Sequence, residues 1–518
     1  MYNTYIIHRR IRDILFFLIC FSIAFIHIPE SIMLSGYLGW PGRGNLVNYP
    51  FIVGIIYTIY WHYREQNVIV FSKKVVCFVI LYFSFLMISA INGAFNYPYF
   101  DIFFNTDIHP LPRIIRILTQ FGFSTDFAFS IYLVKKASLE ILVDLVRSFG
   151  LTYLICCWYR NDFKQAFIIF LKGIGSSLLI VLIYGLLDTL SIANNHFASY
   201  ILITTRPYLH AINMYNEWYP PLLWLGQLRS IFTEPSFFGN YISCVLPLVW
   251  TTIIYGIREK LLLFFSGFLT FFTIITSSRT AWFMYLGSMF LMTICTLILK
   301  NKIYLKRFLC LLLVSCFSIL CGFIFIERIS YKDSMIGDLS SMETIIDNNL
   351  LSIYHDNTRS NGARYSMIRS GFNVFLQHPA LGVGYRLSDA YLFYDFTKQE
   401  NSNPEIITWM NKLLKVGIIN QRVDTLNEYV TRLSEIGLIG TVLFLTPFII
   451  VLFNLLKYIM NNNYYRYPFT SILLSLICSL VVAANVSIYI YESSWILLAL
   501  GYIGLKSASN ISHPVSYE

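Results

Sequence analysis

The chain has 518 residues, of which 56% are hydrophobic and only 13% are charged, about half the charged fraction of an average soluble protein. Aromatic residues make up 17% of the chain, and the mean hydropathy is +0.61. This composition excludes soluble, disordered, collagen-like and disulfide-rich secreted proteins, and it predicts an integral membrane protein.

The net charge of +10 does not indicate nucleic-acid binding, because the basic residues lie in short patches between apolar runs. This distribution is the bias expected of cytoplasmic loops in a membrane protein. Loops of this kind contain Arg9, Arg10 and Arg12; Arg64, Lys73 and Lys74; Arg160 and Lys164; Arg258 and Lys260; Lys300, Lys302, Lys306 and Arg307; Lys457 and Arg466.

Apolar runs long enough to cross a bilayer predict about twelve spans, with both termini in the cytoplasm. The runs are 14–34, 49–62, 75–94, 137–158, 165–187, 236–256, 261–277, 281–299, 308–326, 434–456, 467–486 and 489–505. The first run lacks a small-residue cleavage site, so we expect a retained span. Asp144 and Arg147 lie inside the fourth span, where charges are costly, and are expected to pair with each other.

The polar chemistry is concentrated in two predicted external segments, 188–235 and 327–433. Residues 1–326 form the first part of the transmembrane bundle, and 434–518 contain its last three spans and a cytoplasmic C-terminus. Helical spacing of apolar residues after Arg364 predicts a partly helical cap in the long loop. Prolines and an amphipathic run make 96–135 an interfacial or re-entrant segment.

Two short motifs place arginine at the external ends of predicted spans. Arg229 and Glu234 precede Pro235, which suits the first turn of the sixth span. They are either functional or an interfacial anchor pair. Arg279 lies in a Ser-Arg-Thr turn between the seventh and eighth spans, where an arginine can also reach lipid headgroups without any catalytic role.

The long loop contributes further motifs. Gly382 and Gly384 lack the strand and helix of a nucleotide-binding loop and predict a close-packed turn. Helical spacing of Glu428, Arg432 and Glu435 predicts that the tenth helix begins before the membrane surface, with close packing at Gly437 and Gly440. The cysteines lie in apolar stretches, and histidine pairs at ligand spacing and phosphate-binding loops are missing, so neither a metal nor a nucleotide cofactor is predicted.

The order of these motifs resembles the bacterial O-antigen polymerase and O-antigen ligase superfamily. Arg-x-x-x-x-Glu-Pro-Ser opens one span, Ser-Arg-Thr follows two spans later, and the loop then carries Arg-Tyr, Pro-x-x-Gly-x-Gly and Asn-x-Tyr. The resemblance implies a GT-C-like glycosyltransferase at the periplasmic face of the inner membrane, without a metal or other cofactor. It implies an undecaprenyl-diphosphate-linked oligosaccharide as substrate, within membrane lipid, and a possible chain-length regulator as partner.

The resemblance also assigns candidate site residues. The catalytic candidates are Arg229, Arg279 and Arg364, which would hold the leaving diphosphate, and Glu234, which would act as base. The substrate-binding candidates are Tyr385, Arg386, Asp424, Asn427 and Tyr429, with Asp424 also a second candidate base.

Polymerases and ligases of this superfamily differ at one position. Ligases carry a histidine before the Asn-x-Tyr motif, and this position is Leu426 here, which favours a polymerase. A ligase that transfers polymer to lipid A core remains an alternative, as does a transporter of lipid-linked oligosaccharide. Transporters typically show internal repeats and broken helices at the membrane midplane, and the sequence shows neither.

Overall fold

In the computed structural model, every regular element among the described residues is a helix. The structure describes residues 2–29, 32, 44–65, 73–104, 110–209, 226–332, 359–398, 403–419, 423, 425–461, 465–485 and 492–512. Within them, 7 helices are long and apolar enough to cross a membrane. The predicted all-α, polytopic membrane fold is confirmed, while the number of about twelve spans stays a prediction.

The helices of the first half are α1 Tyr2–Ser22, α2 Asn48–Glu65, α3 Lys73–Phe95, α4 Phe100–Phe103, α5 Arg113–Gln120, α6 Thr125–Leu145, α7 Leu151–Trp158, α8 Phe163–Ile192 and α9 His196–Thr205. Those of the second half are α10 Pro235–Ile254, α11 Glu259–Ile275, α12 Arg279–Leu299, α13 Lys302–Lys332, α14 Arg359–Gln377, α15 Ser388–Lys398, α16 Pro404–Val416, α17 Glu428–Asn461, α18 Arg466–Val482 and α19 Glu492–Ser512. A π-helical turn, Val146–Gly150, joins α6 to α7.

The first helix lies earlier in the chain than the predicted span 14–34. It ends at Ser22, and residues 23–29 are not helical. The prediction began the span after the basic residues, but Arg12 is only 8% exposed and lies 2.9 Å from a carboxylate oxygen of Asp13. Because a neighbouring carboxylate neutralises this charge, the helix continues through the basic patch.

Two of the basic patches, those of Arg307 and Arg466, lie together at one end of the bundle. Arg307 donates to the carbonyl of Ile254 at 3.0 Å, which joins the start of α13 to the end of α10. Arg466 donates to the carbonyl of Ile459 at 3.2 Å, at the turn between α17 and α18. A hydrogen bond of 2.9 Å between the hydroxyl groups of Thr252 and Tyr467 connects the end of α10 to the start of α18. We call this the basic end of the bundle.

A second hydrophobic core lies outside the bundle core and belongs to a helical cap. Residues 94–133 pack there against residues 363–423, with Ile115 of the amphipathic α5 fully buried. The backbone N–H of Ile418 donates to the carbonyl of Ile102 at 3.3 Å. The predicted partly helical loop is therefore confirmed for α14 to α16, and the segment 96–135 forms part of the same cap.

Glycines attach this cap to the bundle through direct backbone contact. Gly382, in the turn after α14, has φ +68, and Gly437, at a kink in α17, has φ +65. The N–H of Val383 donates to the carbonyl of Ser434 at 2.9 Å, and the N–H of Gly384 donates to that of Glu435 at 3.0 Å. A Cβ on Gly382 would lie 2.3 Å from the carbonyl carbon of Glu435. The predicted close-packed turn at Gly382 is confirmed, and Gly437 packs against this turn rather than against another helix. We call this contact the glycine contact.

We expect Gly382→Ala and Gly437→Ala to lower the free energy of unfolding by about 2–5 kcal/mol each, since left-handed backbone and overpacking both cost energy in these variants. Gly287→Ala is the matched control, because nothing lies within 4 Å of its Cβ position and its helix gains propensity. Thermal unfolding of the purified protein in detergent measures the difference. Equal midpoints for Gly382→Ala and Gly287→Ala would show that the contact is not rigid.

Candidate functional site

The candidate site is built where two helices begin side by side. Glu234 is the residue before α10, and Arg279 is the first residue of α12. A Cβ on Gly239 would lie 2.6 Å from the backbone nitrogen of Ala281, so only glycine permits this approach. The N-terminus of a helix carries a partial positive charge, and neither α10 nor α12 has an acidic residue in its first turn. Both helix starts thus favour an anion.

The cap supplies the third element of the site through Arg364 of α14. Arg364 donates to the side-chain oxygen of Asn485 at 2.7 Å, and Asn485 donates to the hydroxyl of Thr280 at 2.7 Å. Arg279 and Arg364 are close enough to repel each other electrostatically. We call Glu234, Arg279, Arg364 and Asn485 the arginine cluster, which brings together three of the four predicted catalytic residues.

Glu234 is half-buried within this cluster. Ser236 donates to one of its carboxylate oxygens at 3.1 Å. Burial raises the pKa of Glu234, while the hydrogen bond from Ser236 and the charge of Arg364 act in the opposite direction. In the described part of the chain its cationic neighbour is thus Arg364. The anchor pair of Glu234 with Arg229, which the sequence left open, does not form there.

Arg229 lies beneath the cluster and is only 1% exposed. It donates to the carbonyl of Thr233 at 3.3 Å, and its own backbone N–H donates to Asp188 at 3.0 Å. Asp188 also accepts a hydrogen bond from Arg206. Burial and the charge of Arg206 lower the pKa of Arg229 to about 9, which still leaves it protonated at neutral pH. Its position supports the loop that carries Glu234.

A buried charge network lies between the cap and the bundle. Asp144 accepts hydrogen bonds from the hydroxyl of Tyr385 and, at 3.2 Å, from Arg386. Arg147 instead pairs with Glu492 at 2.7 Å. The predicted pairing of Asp144 with Arg147 is therefore wrong, because the π-helical turn that begins at residue 146 places the two side chains in different surroundings.

Tyr385 and Arg386 have partners within this network. Tyr385 is 1% exposed, and the guanidinium of Arg432 lies 5.3 Å from the centre of its ring. Arg432 is held by Glu428 at 2.6 Å. Both side chains thus have partners within the protein, and the substrate contact predicted for Tyr385 and Arg386 stays a prediction.

Asn427 and Tyr429 hold the turn that carries Asn485. The Asn427 side chain accepts from the N–H of Val430 at 3.1 Å, which caps α17, and donates to the carbonyl of Ala484 at 2.8 Å. The Tyr429 hydroxyl donates to the carbonyl of Leu480 at 2.6 Å. Both residues thus support the turn that carries Asn485, and the substrate contact predicted for them stays a prediction. Asp424, the second candidate base, lies outside the described residues.

Four residues around the site were not predicted from the sequence: Asn485, Glu405, Asp188 and His27. Glu405 interacts electrostatically with Arg364, and the His27 ring lies 3.3 Å from the Thr233 hydroxyl. A lone aspartate at the end of an apolar run was a usable signal for Asp188. His27 was hidden because the predicted first span ran across it. Within the described residues, no group of three or more His, Cys, Asp or Glu side chains is arranged to hold a metal ion.

Comparison with known protein families gives a match to part of the chain. Residues 261–445 match a family model described as O-antigen ligase, and no curated protein matches the chain. The matched region contains Arg279, Arg364 and the glycine contact. It supports an O-antigen ligase or polymerase type of function in general, that of a membrane glycosyltransferase-like enzyme acting on lipid-linked polysaccharide substrates. The resemblance predicted from the motifs is confirmed over residues 261–445, which are similar to the O-antigen ligase family.

Proposed function

We propose that the protein is a polymerase that joins undecaprenyl-diphosphate-linked oligosaccharide units at the periplasmic face of the inner membrane. The observation that carries this proposal is the convergence of two helix N-termini and two arginines around one half-buried carboxylate. Such an arrangement binds an anion and keeps a proton acceptor beside it.

The arginines and the carboxylate of Glu234 have different roles in the reaction. The anomeric C–O bond to the diphosphate breaks, and the leaving diphosphate gains negative charge. Arg279 and Arg364 stabilise this charge, since guanidinium groups bind phosphate oxygens with paired hydrogen bonds. The acceptor hydroxyl forms the new glycosidic bond and gives its proton to Glu234. Because arginine and the helix ends neutralise the leaving group, the mechanism requires no metal.

The support for a polymerase over a ligase comes from Leu426. It stands where ligases carry a histidine, and here it packs against the core of the cap with φ +53. No imidazole is therefore available at this position for acceptor activation. A ligase remains the second candidate, because the matched family model is described as O-antigen ligase.

Arg279→Ala and Arg364→Ala are expected to reduce polymer formation by about 10²- to 10³-fold, because each removes a preorganised donor to a developing anion. Lysine at either position should restore little activity, since it lacks the planar fork. The measurement is the surface polysaccharide on a gel, in cells that carry only the variant gene.

The matched control is Arg369→Ala, an exposed arginine five residues further along the same α14. It should leave polymer normal. Single-unit product from the Arg364 variant identifies a polymerase, whereas polymer that stays on its lipid carrier identifies a ligase. Normal polymer from both Arg279→Ala and Arg364→Ala would contradict the proposed site.

Glu234→Gln is expected to abolish most activity, because glutamine keeps the shape but cannot accept a proton near neutral pH. In the unchanged protein, activity in reconstituted membranes should fall as pH decreases through a pKa above the ordinary glutamate value, since burial raises that pKa. The rate-versus-pH profile of membrane-inserted protein is the measurement. A profile for Glu234→Gln that keeps both the rate and the acidic inflection would exclude this carboxylate as the base.

The proposed orientation places the cap in the periplasm and the basic end in the cytoplasm. Cysteine introduced at exposed Thr408 of α16 should react with an impermeant thiol reagent added outside the inner membrane, and cysteine at exposed Asn301 should not. The exposed native Cys77 and Cys316 are first replaced by serine. Equal labelling of both positions from outside would refute the orientation.

A further inference from the structure

A groove at the basic end lies between α17 and α19, far from the arginine cluster. It has a volume of about 580 Å³, in the range of small-molecule binding sites. Asn454, near its centre, is 26 residues after Glu428, so the groove lies roughly 40 Å along α17 from the start of that helix. Nothing in the proposed reaction uses it.

The groove has an apolar part and a cationic part. Ile450 and Val451 line the part nearer the middle of the bundle, and Leu505 lines the wall beside Lys506. Lys457, which is exposed, and Lys506, which is half-buried, line the part nearer the basic end. This order, apolar first and cationic towards the helix ends, matches the order of acyl chain and headgroup in one leaflet of a membrane.

All charged side chains that line the groove are basic. None of its lining residues is acidic, and Asn454, Asn461 and Ser509 add neutral hydrogen-bonding groups beside the two lysines. Arg160 lies close enough to Tyr502, on the groove wall, to interact with it electrostatically. A third cation therefore stands near the same surface, and the polar part is complementary to a phosphate group.

The surrounding surface of α17 fits a lipid boundary. Ile450 is 54% exposed, Phe453 66% and Met460 64%, so apolar side chains flank the groove along the helix. A soluble phosphate compound would gain nothing from this apolar strip, whereas an acyl chain would bury it. Basic pockets between transmembrane helices at the cytoplasmic side are sites where anionic lipid headgroups bind.

We propose that this groove binds one anionic phospholipid of the leaflet at the basic end, with its phosphate between Lys457 and Lys506 and an acyl chain along Ile450, Val451 and Leu505. The site is independent of the proposed polymerase reaction. A lipid bound there would connect the end of α17 to α19. The opposite part of α17 carries the kink that contacts the cap, and the opposite end of α19 carries Glu492.

The test uses the purified full-length protein in a neutral detergent and measures bound lipid by native mass spectrometry. The probes are phosphatidylglycerol, phosphatidylcholine with the same acyl chains, and glycerol phosphate. Phosphatidylglycerol should bind saturably at one site and raise the thermal unfolding midpoint. The double variant Lys457→Gln, Lys506→Gln should bind it roughly 30-fold more weakly, about 2 kcal/mol at 1.4 kcal/mol per factor of ten, because each basic residue contributes about 1 kcal/mol.

The matched control is Lys302→Gln, Lys306→Gln, two exposed lysines at the same end but outside the groove. It should bind phosphatidylglycerol as the unchanged protein does. Lys457→Arg, Lys506→Arg keeps the charge and should also bind, which separates a lost site from a misfolded variant. Equal binding of phosphatidylcholine, equal binding of glycerol phosphate, or equal weakening in the control would each overturn the proposal.

Discussion

The glycine contact is the constraint on which the rest of the structure depends. At Gly382 and Gly437 two backbones touch where no Cβ can be accommodated, and hydrogen bonds from Val383 and Gly384 close the contact. This fixes the cap over the bundle. Tyr385 and Arg386 follow directly in the chain, so the contact also delivers them to Asp144. Arg364, on the helix that leads into this turn, is positioned by the same attachment.

The buried charges between the cap and the bundle are a second constraint, which depends on the glycine contact. A charge in an apolar bundle is costly unless it is paired and hydrogen-bonded. Asp144 meets this condition by joining α6 to Tyr385 and Arg386 of the cap, and Arg432 and Glu428 meet it by pairing within α17. Glu428 is also joined to the bundle because its N–H donates to the carbonyl of Ala483 at 2.9 Å. The turn that carries Asn485 is held in this way. The network therefore acts at a distance on the arginine cluster, through the position of Asn485.

Sequence reasoning recovered the features that periodicity and composition encode. These features predicted the helical fold, the close-packed glycine turn and the early start of α17, whereas Glu234, Arg279 and Arg364 were grouped, together with Arg229, only through the family resemblance. Sequence reasoning could not predict partners that depend on helix phase. Asp144 and Arg147 are three residues apart and would be neighbours on a regular α-helix. The π-helical turn changes that phase, and Arg147 finds Glu492 from the far end of the chain instead. Asn485 was not predicted either, because a single amide side chain between apolar residues forms no periodic pattern or motif in the sequence.

The electrostatics of the arginine cluster suggest an order to the proposed reaction. Without substrate, Arg279 and Arg364 repel each other, and Arg364 lowers the pKa of Glu234 against the effect of burial. A diphosphate between the arginines relieves their repulsion and takes up the charge of Arg364. The group that opposed burial is then neutralised, so the pKa of Glu234 rises and the carboxylate becomes a stronger base. Binding of the donor would thus activate the group that deprotonates the acceptor, and the acceptor hydroxyl would attack the anomeric carbon only when a leaving group is in place.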